Sequence, residues 1–158
     1  MELISVRELY KNTAKYADQT IEIGGWVRNR RPSKQFGFIM LNDGTYFNPV
    51  QIVYNDTIEN FQEISKINIG AALIIKGTVV LTPDSKQPFE IQAETVTVEG
   101  PSTGDYSLQP KRHSMEFLRT ITHLRPRTNT FQAVFRVRSL AAMAIHQPGL
   151  PGMPPEGP

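Results

Sequence analysis

Residues 20–44 read TIEIGGWVRNRRPSKQFGFIMLNDG, and the period of this stretch decides how the chain folds. Ile21, Ile23, Gly25 and Val27 alternate with Glu22, Gly24, Trp26 and Arg28, the two-residue repeat of a half-buried strand. A second strand is predicted over Phe36–Asn42, with Phe36, Phe38 and Met40 on one face and Gly37, Ile39 and Leu41 on the other. Asn42-Asp43-Gly44 then supplies turn chemistry. Working outward, further strands are predicted at Val50–Tyr54, Ala72–Leu81 and Phe89–Val98. Between the third and fourth lies TIENFQEISKIN, residues 57–68, where Ile58, Phe61 and Ile64, with Ile67 as a further position, recur at helical spacing.

Strand-strand-strand-helix-strand-strand is the order of an OB-fold, a mainly β, five-stranded barrel with one inserted helix that covers an open end. An open five-stranded sheet with a helix on one face would give the same string. Ahead of the barrel, Ser5 and Glu8 have the spacing of a reciprocal capping box, which predicts a short helix through about Lys11. Beyond it, residues 101–113 are rich in Gly, Pro, Ser and Asp and read as a hinge. Ser114 is placed to cap a short helix that Pro126 ends or redirects, and a longer helix is expected from about Thr128 to Gln147. The division is therefore a barrel over 1–100, the hinge, a helical part over 114–147, and a Pro/Gly tail over 148–158 expected to be unstructured. The longer helix carries Phe131, Val134, Phe135, Val137, Leu140 and Ile145, a wider apolar face than a lone surface helix needs.

The composition, 39% hydrophobic and 20% charged in 158 residues, is that of a globular chain of one domain or one and part of another. Its longest apolar runs fall far short of the ~20 residues that span a bilayer, so no membrane partner is expected. With no cysteine, disulfide and thiolate chemistry are excluded, which suits a cytoplasmic setting. A net charge of +2 conceals an uneven distribution: residues 1–110 sum to −3, whereas residues 111–138 hold seven Lys/Arg against Glu116 alone. Arg28, Arg30, Arg31 and Lys34 form a basic cluster inside the acidic part. A polyanion would meet the chain at those two places, although solvation of a hairpin asks for the same residues.

Catalytic constellations are missing. His113, His123 and His146 lack metal-site spacing, and no metal site is expected. Asp105, His113 and Ser114 are triad residue types, yet adjacent residues rarely face each other correctly, and no catalytic residue is assigned. Binding chemistry is better represented. If Ile39 and Leu41 point inward, Phe36 and Phe38 stand outside beside Arg28, Arg30 and Arg31, where rings stack on bases and guanidiniums hold phosphates. Alternation also turns Gln51 and Glu90 away from Val50, Ile52, Phe89 and Ile91. A glutamine amide can pair with uracil, and a carboxylate can accept two hydrogen bonds from guanine. Burial of the rings in the core and plain solvation of the polar pair are the competing readings.

The pattern GGWVRNRRPSKQFGFIMLNDGTYFNPVQIVYN with the later FEIQAETVTV resembles the anticodon-binding OB-fold of class IIb aminoacyl-tRNA synthetases. KRHSMEFLRTITHLRPRTNTFQAVFRVRSLAAMAIH closely resembles the asparaginyl-tRNA synthetase family, which HLRPRTN separates from the aspartate and lysine enzymes. The resemblance implies that Phe38 stacks on the central anticodon base, that Arg31 and Gln51 contact that uracil of a GUU anticodon, and that Glu90 takes part in anticodon recognition. Arg28, Arg30 and Lys34 are then phosphate contacts, and the partner is the anticodon stem-loop of tRNA(Asn). Residues 128–147 match the motif 1 helix of an incomplete class II catalytic domain, with Phe131, Phe135 and Arg138 at the homodimer interface of the full enzyme. Motifs 2 and 3, which hold ATP, Mg²⁺ and the amino acid, are missing, so no cofactor is expected in this chain and its isolated activity is expected to be nil. The closing PGLPGMPPEGP does not resemble the family and reads as a foreign, frameshifted or appended end. Two rival readings are a free-standing module for single-stranded nucleic acid and a structural part that self-associates through the longer helix.

Overall fold

The computed structural model describes residues 2–146; the predicted Pro/Gly tail lies outside the described residues. Two compact units divide between Arg112 and His113.

The first unit holds α1 (Val6–Lys11), α2 (Thr13–Tyr16), β1 (Thr20–Pro32), β2 (Phe36–Asn42), β3 (Val50–Asn55), α3 (Phe61–Ile64), β4 (Ala72–Leu81) and β5 (Phe89–Gly100). Its strands close in the order β1-β2-β3-β5-β4, with β4 returning to β1. The open-sheet alternative is thereby excluded. Closure requires β3 and β5 to run parallel, Ile52 opposite Ile91, while every other pair is antiparallel. A closed barrel leaves no sheet edge to pair with a stranger. Inward positions are apolar: Ile23, Ile39, Leu41, Ile52, Ile75 and Ile91 are fully buried. Each such side chain contributes about 1.5–3 kcal/mol by leaving water.

One glycine is dictated by that packing. A side chain at Gly37 would collide with the ring of Tyr54, itself buried, so β2 can cross that ring only as backbone.

At the N-terminus Ser5 Oγ accepts from Glu8 N at 3.2 Å, the expected cap. Glu8 does not complete a reciprocal box: its Oε1 accepts from Asn12 Nδ2 and from the Tyr16 hydroxyl, both at 3.0 Å, and so faces forward along the chain. The Asn42-Asp43-Gly44 turn opens a longer connection in which Gly44 takes φ +82. Asp43 closes it, accepting from Thr45 N at 2.9 Å through Oδ1 and from Val6 N at 2.9 Å through Oδ2. The helix expected over 57–68 contracts to the four residues of α3. Ile58, Phe61, Ile64 and Ile67 are buried as their spacing requires, but Ile58 N and Ile67 N bond only three residues back, to Asn55 O and Ile64 O. Asn60 Nδ2 pins this segment to Val96 O at 2.9 Å. Residues just past β5 pack within the same unit: Asn68 Nδ2 donates to Ser102 O at 2.8 Å, and the Tyr106 ring lies over Gly70, whose φ is +88.

The second unit holds α4 (Met115–Thr120), a 3₁₀ turn over Arg125–Arg127 and α5 (Asn129–His146). Ser114 Oγ accepts from Phe117 N at 3.1 Å, as predicted. Pro126 sits in the 3₁₀ turn, where its missing N–H costs nothing. Thr128 caps α5, its Oγ1 accepting from Phe131 N at 3.3 Å.

Candidate nucleic-acid interface

One face of the barrel gathers groups that the sequence keeps far apart. On β2, Ile39 and Leu41 are buried while Phe38 and Met40 are half-buried on the opposite side, so the ring of Phe38 stands outside the barrel interior. Phe36 beside it is 45% exposed, and the two rings meet edge to face at 5.6 Å. Pairing of β2 with β3 sets Met40 opposite Gln51. The parallel pairing of β3 with β5 then brings Glu90 alongside, and Gln51 Nε2 donates to Glu90 Oε2 at 3.2 Å. Phe38, Met40, Gln51 and Glu90 line a cleft of about 430 Å³ that also takes in Arg30 and Arg31. Arg31, Phe38, Gln51 and Glu90, each singled out from the sequence, therefore share one site.

The arginines of β1 are arranged otherwise than simple alternation implies. The register against β2 slips between Val27 and Asn29, so Arg28 is an extra residue in a bulge. Beyond it the faces exchange: Arg31 pairs with Phe38 and shares its outer face, whereas Arg30 pairs with buried Ile39. The Arg30 guanidinium donates from Nη1 to Ser65 O, at the C-terminal end of α3, at 2.9 Å. Nearby, burial raises the Tyr54 phenol's pKa, with Arg30 among the groups that oppose it. The bulge thus turns the backbone station of Arg30 toward the inward side, yet its side chain still borders the cleft with Arg31 and Phe38, whereas Arg28, the bulge residue, stands apart from it. Arg28 is half-buried, and desolvation lowers its pKa against the opposing influence of Tyr106. Lys34 is exposed in the β1–β2 turn; neither it nor Arg28 lines the cleft.

The loop between β4 and β5 also borders this cleft, and the sequence reading passed over it. Thr82 ties the loop's ends together, donating from Oγ1 to Gln87 O at 2.7 Å and from N to Pro88 O at 2.9 Å. The tied loop brings Lys86 and Gln87 to the cleft. Gln87 Oε1 is buried without a hydrogen-bond partner among the described residues, an acceptor that a bound donor would satisfy. The run TPDSKQP between two apolar strands marks a loop, but nothing in its spacing assigns it to the face of Phe38.

The triad residue types are engaged locally. Ser114 caps α4, the His113 ring stacks on Phe117 at 5.1 Å, and a hydrogen bond from Thr103 lowers the pKa of Asp105. In the second unit Phe131 is buried under the Arg125 guanidinium, 4.8 Å above its ring centroid. Phe135 is 37% exposed and Arg138 lies at the surface. Among the described residues no group of three His, Asp or Glu side chains is placed to hold a metal ion. No described helix is long and apolar enough to cross a membrane.

A closed β1-β2-β3-β5-β4 barrel with aromatic, basic and amide groups on one outer face defines a nucleic-acid-binding module. Residues 21–99 match the OB-fold nucleic acid binding domain of the tRNA anticodon type, and the chain belongs to that family. Over 147 residues, 93% of the chain, it is 59% identical to an asparagine–tRNA ligase of Alkaliphilus oremlandii and 56% identical to one of Bacillus cereus. In both cases it spans about a third of the relative's length, 32%. Among solved structures, asparaginyl-tRNA synthetase from Pyrococcus horikoshii, crystallised with asparaginyl-adenylate, superposes with a TM-score of 0.79 at 21% identity. That superposition covers 92% of this chain and 33% of the other, and it bears on the fold. The likeness to asparaginyl-tRNA synthetases carried by residues 111–146 thus extends over nearly the whole chain.

Proposed function

We propose that this chain reads the anticodon loop of tRNA(Asn) for an asparagine–tRNA ligase, in the cytoplasm, with the amino-acid and ATP chemistry carried by protein outside these residues. The observation that carries the reading is the meeting of Arg31, Phe38, Gln51 and Glu90 in one cleft on the outer barrel face. Phe38 offers a half-buried ring for a base to stack on, worth about 1–3 kcal/mol per base in comparable sites. Gln51 offers an amide edge that matches uracil, and Arg31 brings positive charge to the same face. Lys86 and Lys34 flank the path of a backbone at lower specificity, and Arg30, which lines the cleft with one N–H on Ser65 O, joins them. The motif 1 reading gives Phe135 and Arg138 of α5 to a homodimer contact, with Phe131 supporting them from beneath Arg125.

The test is direct. A stem-loop RNA with a GUU anticodon should bind the purified chain more tightly than loops with unrelated triplets at the same salt concentration. Equal affinity for all single strands would instead support a free-standing module without sequence preference. Asparagine-dependent ATP–pyrophosphate exchange by the 158-residue chain should be undetectable, and measurable exchange would overturn that part of the reading.

A further inference from the structure

We propose that Glu90 decides which pyrimidine the Gln51 amide accepts, by holding that amide in one of its two orientations; the proposal rests on the reading of Gln51 as the residue that contacts the central base. A glutamine amide turned by 180° about its last bond exchanges its donor and its acceptor while keeping its shape. Uracil presents N3–H as donor beside O4 as acceptor; cytosine presents N3 as acceptor beside an N4 amine as donor. One amide orientation therefore complements uracil and the other complements cytosine, and an unrestrained glutamine accepts both.

Gln51 is restrained. Its Nε2 donates to Glu90 Oε2 at 3.2 Å, between side chains that are both half-buried on the cleft face. A carboxylate only accepts, so the reversed amide would set Oε1 against Oε2, two acceptors with no proton between them. The backbone holds the two residues in place, because Ile52 and Ile91, the next residues along β3 and β5, are paired across the sheet and completely buried. Gln51 thus keeps Oε1 and its second amide hydrogen for the base in a fixed arrangement. Glu90 is a positioning residue that acts through Gln51. Leaving a donor or acceptor unpaired in such a site corresponds to roughly a tenfold to hundredfold loss in binding, which sets the scale of the discrimination.

The experiment uses the full chain and two stem-loop RNAs that differ only in U or C at the central anticodon position. Their Kd values are measured at one salt concentration for the parent, Glu90→Gln, Gln51→Ala and the double variant. Glu90→Gln keeps the shape of the side chain but can donate or accept, so it releases the amide. Removing a negative charge near RNA strengthens binding to both loops alike, and the U/C ratio cancels that effect. The ratio is expected to fall roughly tenfold or more in Glu90→Gln, chiefly through tighter binding of the C loop, and to be equal in Gln51→Ala and the double variant. A ratio that persists in Glu90→Gln but vanishes in Gln51→Ala overturns the orienting role alone. A further fall in the double variant relative to Gln51→Ala also overturns it, since Glu90 would then touch the base directly. An unchanged ratio in Gln51→Ala overturns the reading of Gln51 itself. Thermal unfolding of each variant separates these results from loss of the fold.

Discussion

Along β2, burial and exposure alternate residue by residue, with Ile39 and Leu41 sealed inside and Phe38 and Met40 facing out. Along α5, by contrast, large apolar side chains are exposed together with the polar ones: Val137 is 68% exposed, Leu140 69% and Ile145 73%. The barrel satisfies its apolar residues within its own unit because closure provides an interior. A single helix has no interior and must find a second surface for its apolar stripe. An exposed aromatic on the barrel is consequently a candidate for chemistry, since the fold does not need it there. An exposed aliphatic on α5 is first a candidate for assembly.

That contrast can be broken by experiment, and the largest effect belongs to the interior. Ile39→Ala should destabilise the barrel by about 2–5 kcal/mol in chemical denaturation, through lost transfer energy and the cavity left behind. Gly37→Ala should cost about 1–3 kcal/mol, because the new methyl group meets the Tyr54 ring. Phe38→Ala sharpens the comparison by moving the loss from stability to binding: affinity for the GUU stem-loop should weaken by about 1–3 kcal/mol while the unfolding midpoint changes little. A Phe38→Ala barrel that unfolds as readily as Ile39→Ala would place the ring in the core after all. The smallest effect is predicted for Leu140→Lys, which should shift barrel stability by no more than about 0.5 kcal/mol. Any self-association of the chain seen by analytical ultracentrifugation should weaken in the same variant, and unaltered association would remove the assembly role from this face of α5.

Much of this was legible beforehand for a physical reason. Two-residue alternation sorts a strand's side chains into two faces, so the grouping of Phe38 with Phe36 and Met40, and the separation of Gln51 and Glu90 from their apolar neighbours, followed from local pattern; which face of β2 the barrel buries did not. Ser5 and Ser114 were legible as caps because capping is completed within four residues. α3 was overdrawn because its apolar spacing is served equally well by a run of turns, and the bond from Asn60 to Val96 O that holds it lies 36 residues away in sequence. The β4–β5 loop was missed because membership of the cleft depends on where the strands bring it.

The sequence by itself determined the succession of strands along the chain, the mixture of aromatic and basic residues on β1 and β2 and the likeness to a synthetase family, since each is written in residues close together along the chain. Only the tertiary structure decided which arginine pairs with Phe38. Strict alternation from Val27 would turn Arg30 outward and Arg31 inward; the bulge at Arg28 inserts one residue and reverses those two assignments. It likewise decided that Gln51 and Glu90 touch, because the parallel pairing of β3 with β5 exists only once the barrel has closed. Register is a property of two strands together, and neither strand carries it alone.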